Sequence, residues 1–250
     1  MTEQITDRIE IVRADCYTLL DAWPSDAALV TDPPYGIGYV SFGGRGVAGP
    51  SAFAGDAIAG DAKPFDPAPF LRFATVCLWG ANHFAPRLPT VGKWLVWDKR
   101  CGVTPERVQA DCELAWCNRN GAARVFRHVW DGMIRDSEKG PRVHPMQKPI
   151  ALLTWTLQAC GVVGDALVID PFMGSGSLGV ACHRAGLRYL GVEIDPEHYA
   201  TARERLLRET AQGLLMPNIG ADASSLRDSV RPLVGPDSPT TGKIQNGNFQ

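Results

Sequence analysis

Along this chain, short apolar runs that end on acids alternate with stretches of helical period. RIEIVRAD (Arg8 to Asp15) alternates apolar and polar positions, which predicts a strand. TLLDAW then reads as a turn of helix, and AALVTD (Ala27 to Asp32) as a buried strand. FDPAPFLRFA predicts a helix with Asp66 as its N-cap and a proline in the first turn. TVCLWG and KWLVWDK predict two more strands, and CELAWCN and ARVFRHVW a further pair. The last third is the most regular. KPIALLTWTLQACG predicts a helix opened by proline and closed by glycine, and DALVID a buried strand. GSLGVACHRAG predicts a helix closing on Gly186, RYLGVEID a strand, and PEHYATARERLLRE a helix opened by Pro196. Such a β-α-β-α succession predicts parallel strands with helices on both faces of the sheet.

Two stretches break the pattern. Residues 36–61 are rich in glycine and without periodicity, so they are expected to form a mobile loop. After about Thr210 the chain turns to Gly, Pro, Ser, Asn and Asp, which predicts a loosely ordered tail over 211–250 behind a single domain at 1–210. With 45% hydrophobic and 21% charged residues, the 250-residue chain has an ordinary globular composition. No apolar run approaches the ~18 residues of a membrane span. The start, MTEQITDRIE, lacks the apolar core of a secretory signal, so the expected location is cytoplasmic. The seven cysteines are scattered, with no C-x-x-C pair, and read as reduced thiols and not as a metal site. The net charge of −2 does not announce a nucleic-acid partner, so any such partner needs a local patch. Residues 118–148 supply one: Arg119, Arg124, Arg127, Arg135, Lys139, Arg142 and Lys148 stand against only Asp131, Asp136 and Glu138.

Candidate chemistry lies at two strand ends. In ALVTDPPYGIGY the strand stops at Asp32, Pro33, Pro34 and Tyr35, leaving a carboxylate, two carbonyls and an aromatic ring together. In DALVIDPFMGSGSLG, Gly174, Gly176 and Gly179 satisfy G-x-G-x-x-G between a strand and a helix, and Glu193 ends the next strand. This arrangement suits a ligand bearing a nucleoside, with the acid accepting from ribose hydroxyls. A nicotinamide dinucleotide fits less well, because Asp170 sets a negative charge where a pyrophosphate would lie and D-P-F-M delays the first glycine. A cationic ligand removes both objections, and S-adenosylmethionine is the expected cofactor. Glycines serving only helix–sheet packing are the plain alternative.

DPPY, then HPMQKP (His144 to Pro149), then DPFMGSG resemble, in that order, the amino-group DNA methyltransferases. The resemblance is to the β arrangement, in which the catalytic motif precedes the target-recognition segment and the cofactor motif comes last. It covers roughly residues 8–208. It implies the fold of the S-adenosylmethionine-dependent methyltransferases: an α/β, mostly parallel, doubly wound seven-stranded sheet in permuted chain order, with the strand ending at Asp170 beside the one ending at Asp32. The chain would start mid-sheet, and 118–143 would form a short recognition insertion. Asp15, Cys16, Asp32, Lys148, Asp170, Phe172, Gly174, Ser175, Gly176, Glu193 and Ile194 would bind the cofactor. Met146 stands where the family has a threonine, and brings no hydroxyl.

The resemblance also explains the acid, carbonyl and ring at the first strand end. Asp32 and the Pro33 carbonyl each accept a hydrogen from an exocyclic base amine, and both strengthen as positive charge grows on that nitrogen. Tyr35 offers a stacking face, and Pro34 completes the motif. A duplex base must first be flipped out. Arg119, Arg124, Arg127, Arg135 and Arg142 would hold the DNA backbone, and the loop carrying Tyr39, Phe42 and Arg45 could close over the site. Trp79 and Asn82 are within reach of it, whereas the other tryptophans read as core and His144 as structural. The implied partner is double-stranded DNA, with room for a homodimer and a cognate restriction endonuclease. An acid opening the motif goes with N6 of adenine, and N4 of cytosine is the alternative. RNA or a protein side-chain amide as substrate, and a DNA-binding module without activity, are the readings from other classes.

Overall fold

Five strands that run side by side in parallel carry the centre of the protein. They are β2 (Ile9–Arg13), β3 (Ala28–Thr31), β4 (Thr75–Trp79), β10 (Leu167–Asp170) and β11 (Arg188–Glu193). β1 (Thr2–Gln4), β5 (Lys93–Asp98), β6 (Cys112–Cys117) and β7 (Arg124–Arg127) extend them to nine strands, in the order β1-β2-β11-β10-β3-β4-β6-β5-β7. Only β1 and β6 run against the rest. β8 (Trp130–Asp131) and β9 (Ile134–Arg135) make a separate small pair. This computed structural model describes residues 1–38, 60–103, 110–131, 134–138 and 147–213. Tyr39, Phe42, Arg45, Lys139, Arg142, His144, Met146 and the tail from 214 lie outside the described residues. Among the described residues no helix is long and apolar enough to cross a membrane.

The mixed, mostly parallel α/β sheet agrees with the reading of the sequence, and several details differ. The sheet has nine strands, not seven, because the first residues pair as β1 and because Arg124–Arg127 join as an edge strand parallel to β5. The stretch expected to be a recognition insertion is thus partly a strand of the main sheet. ARVFRHVW divides between β7 and β8. The chain starts beside one edge, with β2 second in the order, and not mid-sheet. The last helix continues to Gly213, past the expected boundary at 210.

Alternation within the strands sends side chains to two cores. Ala28, Val30, Cys77, Trp79, Leu95, Trp97 and Val168 pack with Leu152, Leu157, Val180, Ala202 and Leu206. Those last five come from α1 (Ile150–Ala159), α2 (Ser177–Arg184) and α3 (Pro196–Gly213), so the three helices share one face. On the other face Leu29, Val76, Leu78, Ile169 and Val192 meet Trp23, Phe65, Phe70, Phe73 and Phe84. No α-helix covers that side among the described residues. FDPAPFLRFA yields only a three-residue 3-10 turn, Ala68–Phe70, with Asp66 accepting from the Ala68 amide. Pro64, Pro67 and Pro69 remove the donors that a longer helix needs, and aromatic rings fill the space instead.

Gly179 sets how closely α2 lies on the sheet. A Cβ there would fall 2.9 Å from both the Tyr189 ring and the Leu206 side chain. Gly179→Val should therefore lower stability by about 1–3 kcal/mol through overpacking. The expected reading is a lower urea midpoint at unchanged slope.

Candidate active site

β3 and β10 pair in parallel, with Val168 opposite Ala28 and Ile169 opposite Leu29, so both strands deliver their last residues to one edge. β3 stops there because Pro33 and Pro34 have no amide to continue a ladder. Among the described residues no donor reaches the Pro33 carbonyl. One strand away Asp170 is buried, accepting from the Thr31 hydroxyl at 2.6 Å and from the Tyr189 hydroxyl at 3.2 Å. Burial raises its pKa to about 7, against the pull of the Thr31, Phe172 and Tyr189 donors.

The turn after β10 is shaped for close approach. Gly174 and Gly176 take φ of 53° and 71°, a region that side chains disfavour. The Gly174 amide donates to Glu193 Oε2, and the Asp195 amide to Glu193 Oε1, each at 2.9 Å. Glu193 thus ties the glycine turn to the loop after β11, and each oxygen keeps a free lone-pair direction. Asp15 accepts from the Tyr17 amide at 3.0 Å, while burial raises the Cys16 pKa to about 12 and keeps it a neutral thiol. Ile194 is exposed, and Phe172 packs edge-on against Phe65 and Phe70. The Ser175 side chain is committed elsewhere, to Ser177 at 3.1 Å and Arg205 at 3.4 Å.

Asp32 is the hub of the other half. Its Oδ1 accepts from the Tyr35 hydroxyl at 2.7 Å and its Oδ2 from Lys148 Nζ at 2.5 Å. Lys148 also lies 3.1 Å from Glu113 Oε2, and Lys99 3.1 Å from Glu113 Oε1. Lys148, expected at the cofactor, is ion-paired with the DPPY acid. No sequence motif marks Glu113. It is the second residue of β6, whose antiparallel course returns its first residues to the edge where β3 and β4 end. Its only sequence signal is an acid in the otherwise apolar CELAWC.

Burial pushes the Asp32 pKa up; Lys148 opposes this and Glu113 adds to it. Burial also works against the Glu113 carboxylate, but Lys148 and Lys99 outweigh it and hold its pKa at about 2. Burial holds the Tyr35 phenol well above its ordinary range, so it remains a donor to Asp32. One face of Tyr35 stacks on His83, with centroids 4.7 Å apart. Stacking on Tyr35 is therefore confined to what His83 leaves uncovered.

A single cavity of about 1100 Å³ joins the halves. Asp15, Cys16, Phe172, Gly174, Glu193 and Ile194 line it together with Asp32, Pro33, Pro34, Tyr35, Glu113 and Lys148. Asp170, Ser175, Trp79 and Asn82 also border it. Of the basic residues, Arg127 ends β7 near this edge, 3.8 Å from Asp98, and Arg135 lies over the Trp130 ring. Arg124 begins β7, opposite Leu95. Arg119 follows Asn118, which bonds to Val76 and Phe73 at the start of β4, so it stands at the opposite end of the sheet from Asp32. Among the described residues no cluster of His, Cys, Asp and Glu could hold a metal.

Asp170 keeps its proton up to about pH 7 in the folded protein, against an ordinary value of 3.8. Between these values the folded state binds more protons than the unfolded one, so this group's contribution to stability declines as pH rises from 4 to 7 and then levels. Comparing urea unfolding of wild type and Asp170→Asn across that range should show a steeper decline in wild type, since Asp32, also raised, remains in both. Its size should be several kcal/mol at most, at ~1.4 kcal/mol per pKa unit.

Residues 93–204 match the model of the N6/N4 methyltransferases, described as DNA methylase. The chain is 39% identical to the Type II methyltransferase M2.DpnII of Streptococcus pneumoniae, over 34% of this chain and 32% of that one. It is 35% identical to M2.LlaDCHI of Lactococcus lactis subsp. cremoris, over 36% of this chain and 34% of that one. The matched stretch thus spans about a third of each of these relatives. In structure the chain is similar to PvuII DNA methyltransferase (cytosine-N4-specific), with a TM-score of 0.53 and 14% identity. That likeness covers 84% of this chain and 94% of the other, and shows a shared fold. It is through residues 93–204, from β5 into α3, that the chain matches the N6/N4 DNA methylases.

Proposed function

We propose that the protein transfers a methyl group from S-adenosylmethionine to an exocyclic base amine of duplex DNA, at N6 of adenine. The observation that carries this reading is the shared cavity in which Asp32 and its proline carbonyl face the glycine turn, Asp170 and Glu193. The residues suit the cofactor. Gly174 and Gly176 lie in a backbone conformation that favours glycine, Glu193 presents acceptors for ribose hydroxyls, Phe172 and Ile194 give apolar walls, and Asp170, buried and protonated up to about pH 7, would ionise beside a cation. When bound, the cofactor supplies an electrophilic methyl group.

The chain's residues act on the amine. Asp32 and the Pro33 carbonyl each take one amine hydrogen, which frees the nitrogen lone pair from the ring. Tyr35 and Lys148 occupy one lone pair on each Asp32 oxygen, and a carboxylate oxygen has another to offer. As the N–CH3 bond forms and the S–CH3 bond breaks, positive charge develops on nitrogen beside a fixed acceptor. The methylated ammonium then loses its proton to water. The acid at position 32 supports adenine, and N4 of cytosine remains the second outcome of the test. We assign the DNA backbone to the basic segment around 118–143, in which, among the described residues, Arg127 and Arg135 lie toward the cavity edge. Arg119 belongs to the opposite end and contributes less.

Duplex DNA incubated with protein and cofactor, then digested to nucleosides and separated by mass, should give N6-methyldeoxyadenosine. Methyldeoxycytidine alone overturns the adenine assignment, and no methylated nucleoside, with RNA methylated instead, overturns the DNA reading. Asp32→Ala should reduce transfer by about 10²–10³-fold while calorimetry shows undiminished cofactor binding. A parallel loss of both would move Asp32 to the cofactor. Glu193→Ala should weaken cofactor binding by ~1.5–3 kcal/mol, the worth of hydrogen bonds to a charged acceptor. An unchanged dissociation constant would leave Glu193 only its role in tying two loops.

A further inference from the structure

The buried charges around Asp32 alternate in sign. Asp32 accepts a hydrogen bond from Lys148 and Glu113 one from Lys99, while Lys148 and Glu113 meet as an ion pair at 3.1 Å. The Lys148 side chain is only 6% exposed, so its charge has to be balanced by protein groups. Asp32 alone would balance it, yet a second carboxylate is brought from a strand on the other side of β4. A nucleophile that becomes positive is poorly served by an ammonium clamped on its acceptor. Sharing Lys148 with Glu113, which Lys99 balances on its far side, leaves less than a whole ammonium set against Asp32 where it faces the amine.

Resting on the amine-methylation reading, we infer that Glu113 is a positioning residue: by sharing Lys148 it keeps Asp32 available, in charge and orientation, to the substrate amine. The groups facing Asp32 are Tyr35 from its own turn, Lys148 ahead of α1, Glu113 on β6 and Asp170 on β10, with Lys99 behind Glu113. Loss of Glu113 gives Lys148 wholly to Asp32, stabilising the Asp32 carboxylate while blunting it as an acceptor. Loss of Lys148 leaves two buried carboxylates facing each other and makes Asp32 easier to protonate. The two losses therefore move the Asp32 titration in opposite directions, which a role in packing would not do.

The test measures methyl transfer to duplex DNA against pH for Glu113→Gln and Lys148→Gln, with carboxyl-carbon NMR of Asp32 in the same proteins. Glu113→Gln should lower the plateau kcat about 10-fold with the KM for cofactor unchanged, and shift the acid limb to lower pH. Lys148→Gln should shift the acid limb to higher pH, and adding it to Glu113→Gln should restore part of kcat at alkaline pH. Shifts in the same direction, or none, at retained melting temperature overturn the inference. If Lys148→Gln does not fold, the Asp32 resonance in Glu113→Gln decides alone: a lower titration midpoint supports the inference and an unmoved one overturns it. Should wild type methylate no DNA while that resonance shifts, the function fails and the charge sharing stands.

Discussion

The parallel pairing of β3 with β10 is the constraint on which the site depends. Both strands are buried on both faces, so their register is locked by side chains packed on either side. With that register set, Asp32 and Asp170 leave the sheet at one edge, and the Thr31 hydroxyl spans the two strands to Asp170. The chain after each strand cannot return to the sheet at once, because proline follows both acids. A crevice at this edge is the consequence, as expected where neighbouring strands send their connections apart.

Around that crevice the protein concentrates groups that burial makes uncomfortable. Asp170 and Asp32 are both pushed toward their protonated forms, and Glu113 stays charged only through two lysines. Each acid responds to a different neighbour. Asp170 sees hydroxyls and an amide, whereas Asp32 has a lysine. This difference separates the cavity into a half suited to a cationic ligand and a half in which charge is balanced within the protein. Perturbed carboxylates gathered in one cleft mark it as the candidate reaction site.

The two faces of the sheet are built by different means. Three helices cover one, with Gly179 permitting close contact, and aromatic rings carried on proline-rich turns cover the other. The aromatic side includes Phe65, Phe70 and Phe172, so part of the cavity wall is continuous with that core. The wall of the candidate cofactor half is thereby as rigid as the packing behind it.

Much of this was legible in the sequence. Strand ends followed from prolines and glycines placed after apolar runs, and both motif acids were found because local chemistry, with nothing distant, makes a strand stop and a turn form there. Near-neighbour information also identified Gly174, Gly176 and Glu193 as one unit. What the sequence left open came from partners far apart along the chain. Lys148 sits on Asp32 across 116 residues, and Glu113 reaches both only because β6 runs antiparallel beside β4. The His83 ring on Tyr35, the loss of Ser175 to Arg205 and the removal of Arg119 to the far end are of the same kind. Periodicity reports which face of an element is buried, but not against what. Strand order and direction decide which charges meet, and those are set by tertiary packing.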